Sequence, residues 1–322
     1  TRRSSDLFKL DPAFKDYIWG GTRLRDEYGK KCDYDKVAES WELSCHKDGP
    51  SVVADGEYKG LTLNEYIEKA GKGVLGKNCE RFENFPILIK LIDAKDNLSV
   101  QVHPDNDYAM RVEGEYGKTE MWYVVDCDEG ATLLYGFKHE ITKEEFARRI
   151  ADNTLLEVTN AVPVKKGDVF FIKSGTLHAI GKGILIAEIQ QNSNTTYRIY
   201  DYGRVGKDGK PRELHVDKAL DVTKLAPAEQ YPETPVEKKD GYDIKLLSKC
   251  EYFTTYRVNV ETKAELDADE NSFNSILVLE GEPVISGGET VSAKKGESVF
   301  ISAGTGKYTV EGKCTFVLTK ID

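Results

Sequence analysis

No stretch of this 322-residue chain approaches the roughly 20 consecutive apolar side chains that a helix needs to span a bilayer, and the opening TRRSSDLFKL holds no apolar run of signal-peptide length. The expectation is a cytoplasmic protein with no membrane partner. Paired cysteines are missing too. The six present, Cys32, Cys45, Cys79, Cys127, Cys250 and Cys314, are scattered and form no C-x-x-C, which argues against both a thiolate zinc ribbon and a disulfide framework. There is no excess of positive charge: 45 Lys and Arg face 55 Asp and Glu, a net charge of -10. Nucleic acid is not expected as a partner, since duplex affinity comes largely from neutralising phosphates. An anionic substrate would have to be met by cations gathered locally. Histidine is scarce, with 5 in the chain and none after His215.

What is present describes an ordinary globular protein, with 39% hydrophobic and 10% aromatic residues. The length predicts two domains of unequal size. Thr62-x-x-Glu65 and Thr142-x-x-Glu145 read as capping boxes that open two helices, and a third helix is expected from Val216 to about Leu225. Most of the remainder reads as short strands punctuated by glycine turns. Between Pro227 and Pro235 the sequence lacks periodicity and carries three prolines, as an extended linker would. The domain boundary is placed there, giving residues 1–230 and 231–322.

A repeat organises the second half. KKGDVFFIKSGTLHAI at 165–180 and KKGESVFISAGTGKYT at 294–309 share Lys-Lys-Gly, a Val/Phe-rich strand and a following Gly-Thr. Upstream of each lies another apolar strand with a glycine turn, the order expected of a duplicated β-barrel module. In the second copy Lys307 falls where the first has His178, and a cation repels a divalent ion. The second barrel is therefore expected to hold no metal and to support the first.

Ser99, Gln101 and His103 alternate with Leu98, Val100 and Val102, so a polar row shares one face of a strand. On a barrel strand that row looks into the cavity mouth. Glu120 opens the next β-rich run and His178 follows the Ser174-Gly175-Thr176 turn. Imidazole and carboxylate on neighbouring strands suit a borderline divalent ion such as zinc. Taken singly, each histidine is more often a loop or core residue than a ligand.

Gly167, then Gly175-x-x-His178, matches the second motif of the cupin superfamily, while Gln101-Val102-His103 and Glu120 stand for the first. ILIKLIDAKDNLSVQVHP at 87–104, GKTEMWYV at 117–124, QQNSNTTYRIYDYGR at 190–204, Trp19-Gly20-Gly21 and Ala38-Glu39-Ser40-Trp41 resemble type I mannose-6-phosphate isomerase in its short bacterial form. The resemblance implies a mainly β fold, duplicated cupin (jelly-roll) barrels with helical insertions. It implies one zinc per chain, held by Gln101, His103, Glu120 and His178. It also implies Arg198 and Lys118 in catalysis, with Ser99, Lys90 and Lys118 on a phosphorylated hexose. Asn194 departs from the family, where aspartate is frequent.

Aldose–ketose exchange needs a proton removed beside a carbonyl and an enediolate stabilised. Arg198, always charged, suits the second task. Glu188 is one candidate base, a zinc-bound water another. A non-catalytic sugar-binding cupin would keep the ligands without needing Arg198 or Lys118, and an isomerase of another hexose would keep all of them. The blander expectations are that His46 and His139 are solvated, that His215 is a packing or cap residue, and that Arg204 and Lys207 lie in a solvated turn, with Arg204 near enough to reach a phosphate. No motif sets an oligomeric state.

Overall fold

The computed structural model describes residues 6–322. The chain is mainly β, with every strand pair antiparallel, and the repeat seen in the sequence is a repeat of topology. In the first barrel the larger sheet runs, in spatial order, Val169–Ile172, Glu120–Cys127, Ile184–Gln191, Ile87–Ala94, Glu39–Leu43 and Ala13–Lys15. In the second barrel Ser298–Ile301, Asn274–Gly281, Cys314–Lys320, Thr254–Val260, Tyr242–Lys249 and Val236–Lys238 follow the same order. The smaller sheets correspond as well. Val100–Val102, His178–Ala179, Thr132–Phe137 and Thr159–Pro163 in one match Lys263–Ala268, Gly306–Glu311, Val284–Gly287 and Glu289–Ser292 in the other. Tyr197–Tyr200 adds an edge strand to the first. Even the turn glycines correspond: Gly167 and Gly296 have φ of 90° and 87°, and Gly175 and Gly304 both 83°, a conformation that penalises any Cβ.

Ile87–Ala94 and Ile184–Gln191 are buried along their whole length, because each of their faces meets a different core. Ile87, Ile89, Leu91, Leu185, Ala187 and Ile189 face a core shared with the second barrel, while the alternate residues, Lys90 and Glu188 among them, look into the first barrel. The shared core is aromatic in its middle. Phe8 packs edge-on to Tyr66 at 4.8 Å and stacks on Phe300 at 5.4 Å, and Phe300 stacks on Phe273 at 5.3 Å. A buried Lys30–Glu42 ion pair of 2.6 Å reaches across, with Lys30 donating to the Gly296 carbonyl.

The expected elements differ in places. Strand Leu7–Asp11, from the N-terminal end, pairs with Ser298–Ile301 and so completes the sheet of the C-terminal barrel. The stretch from Pro227 to Pro235 is irregular but tied down: the Tyr135 hydroxyl donates to the Glu229 carbonyl, and Tyr231 packs on Phe171 at 5.1 Å. The third helix stops at Val222, three residues early, because the backbone beyond it serves neighbours: Lys224 donates to the Gly175 carbonyl, and the Leu225 carbonyl accepts from Ile141. The Thr62 box is complete, whereas Thr142 caps Glu145 without the reciprocal bond.

Candidate active site

The first barrel opens on a cavity of about 240 Å³, lined by Lys90, Ser99, Gln101, Lys118 and Glu188 together with Tyr17, Asn194, Arg198 and Arg212. At its floor three strands bring together His103, Glu120 and His178, all fully buried. The register explains the meeting. His178 pairs with Gln101 on one side, and Ile172, six residues before His178, pairs with Glu120 on the other. The Nε2 atoms of His103 and His178 are 3.1 Å apart, and lie 3.6 Å and 3.3 Å from the two Glu120 oxygens. Each imidazole donates its Nδ1 hydrogen to a backbone carbonyl, His103 to Thr195 at 3.0 Å and His178 to Thr176 at 2.8 Å. Each Nε2 therefore carries a lone pair. Two lone pairs turned toward each other beside a carboxylate whose oxygens have no hydrogen-bond partner form an incomplete arrangement. A divalent cation completes it, and the donor set of two imidazoles and a carboxylate fits one.

Gln101 Nε2 lies 3.4 Å from His178 Nε2, and its Oε1 accepts from Ser99 at 3.3 Å. A half-turn of this amide would present the oxygen to the same point and let Ser99 accept instead. Of the four residues implied as ligands, three thus converge without adjustment and the fourth stands beside them.

Above this floor lies a buried charge network. Lys90 sits 3.1 Å from Glu188 and 3.5 Å from Glu39, and Lys118 3.4 Å from Glu120. Trp122 donates to Glu188 and Trp41 to Glu39, fixing both carboxylates. Burial pushes both imidazoles down, His178 to about 4 and His103 well below its ordinary value, so both are neutral at pH 7. Burial and then Glu188 hold Glu120 high, while Lys90 and Lys118 outweigh burial at Glu188 and hold it low. Burial and mutual repulsion oppose ionising both carboxylates, and the one nearer Lys90 takes the charge.

Lys90 and Lys118 are buried site residues. His46, expected to be solvated, is buried instead, edge-on to Trp41 at 5.7 Å with its Nε2 3.6 Å from Glu115. His139 is exposed, and His215 accepts from the Arg198 amide, a packing role. Arg204 is turned away from the cavity onto Asp201 and the Asn97 carbonyl. Arg212, which the sequence did not single out, is on the wall instead. Asn194 donates to Asp48 at 2.9 Å, a contact that an aspartate there would turn into repulsion.

The second barrel holds no comparable group among the described residues. The reason differs from the one expected. Gly306, with φ of 75°, shifts the phase of the strand by one residue, so Lys307 points to solvent and Tyr308 points inward. Asn274, the register counterpart of Glu120, donates to the Tyr308 hydroxyl at 2.9 Å. An aromatic ring and an amide fill the space that imidazole and carboxylate leave open in the first barrel. Volume alone would mislead as well: a larger cleft of about 940 Å³ runs beside Tyr135, Phe171 and Tyr231 but lies away from the imidazoles.

Fold and site together define a two-barrel cupin with, among the described residues, one buried group able to hold a metal. Residues 7–130 match the family model "Phosphomannose isomerase type I, catalytic domain", and residues 243–321 match "Mannose-6-phosphate isomerase, cupin domain". The chain is 40% identical over 314 residues to a putative mannose-6-phosphate isomerase of Bacillus subtilis, covering 97% of this chain and 98% of that protein. It is 39% identical over 312 residues to the mannose-6-phosphate isomerase ManA of the same organism, covering 96% and 97%. The crystal structure of the Bacillus subtilis mannose 6-phosphate isomerase superposes with a TM-score of 0.92 at 38% identity, over 98% of this chain and 99% of that one. The chain belongs to the type I mannose-6-phosphate isomerase family, and it is an isomerase.

Proposed function

We propose that the reaction is the interconversion of D-mannose 6-phosphate and D-fructose 6-phosphate, with one zinc ion held by Gln101, His103, Glu120 and His178. The observation that carries this reading is the Glu120 carboxylate, with no hydrogen bond to either oxygen, facing two Nε2 lone pairs in a fully buried pocket. Bound there, zinc supplies a Lewis acid for the substrate oxygens at the first two carbons. The chain's own residues do the rest. Glu188 lines the cavity, is held ionised by Lys90 and Lys118, and is our candidate to accept the proton from the carbon beside the carbonyl. Lys90, 3.1 Å away, holds Glu188 in position and charge; Lys118 and Ser99 present donors to sugar oxygens. Arg198 has no carboxylate partner in hydrogen-bond contact and stabilises the enediolate. The six cysteines are all unpaired, which fits a reducing cytosol.

The test is metal analysis and a coupled assay on the purified protein. About one zinc per chain is expected, with turnover of mannose 6-phosphate well above that of free mannose. His178→Ala should lose both metal and activity, and Arg198→Ala should lose about 100-fold or more in turnover with little change in melting temperature. A His178→Ala protein that keeps its metal and its rate sinks the assignment.

A further inference from the structure

The cations around the cavity are not equivalent. Lys90 is held by Glu39 and Glu188 and Lys118 by Glu120, all buried, so neither lysine is left without a carboxylate. The arginines are the reverse. Arg204 and Arg212 share one buried carboxylate, Asp201, and Arg198 is bonded to none, while the Glu213 side chain nearby is 83% exposed. Arg198 donates through Nη1 to the Glu213 carbonyl, and its Nε is buried with no partner.

We infer that Arg212, clamped by Asp201 on the wall of the cavity, binds the phosphoryl group of the substrate and sets the preference for a phosphorylated over a free hexose. This rests on the proposed sugar-phosphate reading and names the residue that reads the phosphate. Asp201 accepts from Arg212 Nε at 2.8 Å and from Nη2 at 2.6 Å, a two-point grip that fixes the plane of the guanidinium and leaves Nη1 without a bond to Asp201. The same Asp201 accepts from Arg204 at 2.6 Å, so one carboxylate orients two arginines while neutralising only one. The fold delivers Arg212 to this place by a tight loop. Gly206 donates to the Lys210 carbonyl at 2.8 Å, and Val205 bridges Pro211, returning the chain beside Asp201. A phosphate monoester carries about -1.5 to -2 near neutral pH, which matches the surplus of two guanidinium charges. A neutral hexose would leave that surplus uncompensated. Arg204, which lies off the cavity wall, acts as a positioning residue through Asp201.

The experiment compares the zinc-loaded full chain with Arg212→Ala, Arg212→Lys and Asp201→Asn. It measures kcat and KM for mannose 6-phosphate, competitive inhibition by inorganic phosphate, and a thermal melt. Losing a charge-assisted contact to phosphate should raise KM and the phosphate inhibition constant together by about 30- to 100-fold in Arg212→Ala. Arg212→Lys, which keeps the charge and loses the grip of Asp201, should recover part of that loss. Asp201→Asn should weaken phosphate inhibition by a smaller factor. A phosphate inhibition constant within about twofold of the parent in a folded Arg212→Ala protein overturns the assignment. If the parent itself fails to turn over mannose 6-phosphate, the functional reading fails instead. Calorimetric titration of inorganic phosphate into parent and Arg212→Ala protein then still decides whether Arg212 holds the anion.

Discussion

Glu120 shows how much chemistry one buried carboxyl can carry. Burial, then the neighbouring Glu188, raises it to about 8 in the metal-free site, so at pH 7 it is largely protonated there, while both imidazoles are already neutral. A metal needs the carboxylate, so loading the ion must expel the proton. Titrating zinc into metal-free protein at pH 7, in buffers of different ionisation enthalpy, should release up to about one proton per ion, and the release should shrink as pH rises past about 8. Proton release that stays near zero at pH 7 would show Glu120 already ionised. The sequence named this residue through its place at the head of an apolar strand. It could not name Thr195, whose carbonyl sets the tautomer of His103 from 92 positions away, because any residue type offers a carbonyl.

The element that delivers His178 is a turn of three residues. Gly175 has φ of 83°, and a Cβ there would stand 2.8 Å from the Val222 carbonyl oxygen, where backbone cannot yield cheaply. Gly175→Ala should therefore cost about 1–3 kcal/mol of stability and displace the strand that starts at His178. Chemical unfolding and zinc content measure the two effects. A variant with unchanged stability and full metal would mean that the turn tolerates a side chain. Elements of this size were the most legible from sequence. The Thr62 capping box, the glycine turns and the Val100/Val102 alternation all depend on neighbours within a few positions. The misreadings at the end of the Val216 helix and at Lys307 have one cause. In each a distant backbone contact or a single left-handed glycine changed the phase of a local pattern.

Across the whole molecule, the two barrels are held as one by a core that both contribute to. Phe8 belongs to a strand at the N-terminal end, is almost fully buried, and stacks on Phe300 in the last sheet. Phe8→Ala should lower stability by about 3–5 kcal/mol in a single cooperative transition, since the cavity opens in the core shared by both barrels. The kcat per folded molecule should stay near that of the parent. Two separated melting steps in the variant would mean that the barrels are coupled less tightly than this packing implies. Sequence alone determined a mainly β chain with an internal repeat and, through the resemblance its motifs carry, the duplicated cupin and the histidines and carboxylate to watch, because strand periodicity, turn glycines and motif residues are short-range properties written along the chain. Only the tertiary structure decided which charged groups meet. His103 and His178 are 75 positions apart, and Lys90 was paired with Glu188, Arg212 with Asp201 and Tyr308 with Asn274 by strand register and loop closure. Whether a lysine is neutralised or an arginine left with charge to spare depends on what folds against it, and no window of sequence contains both partners.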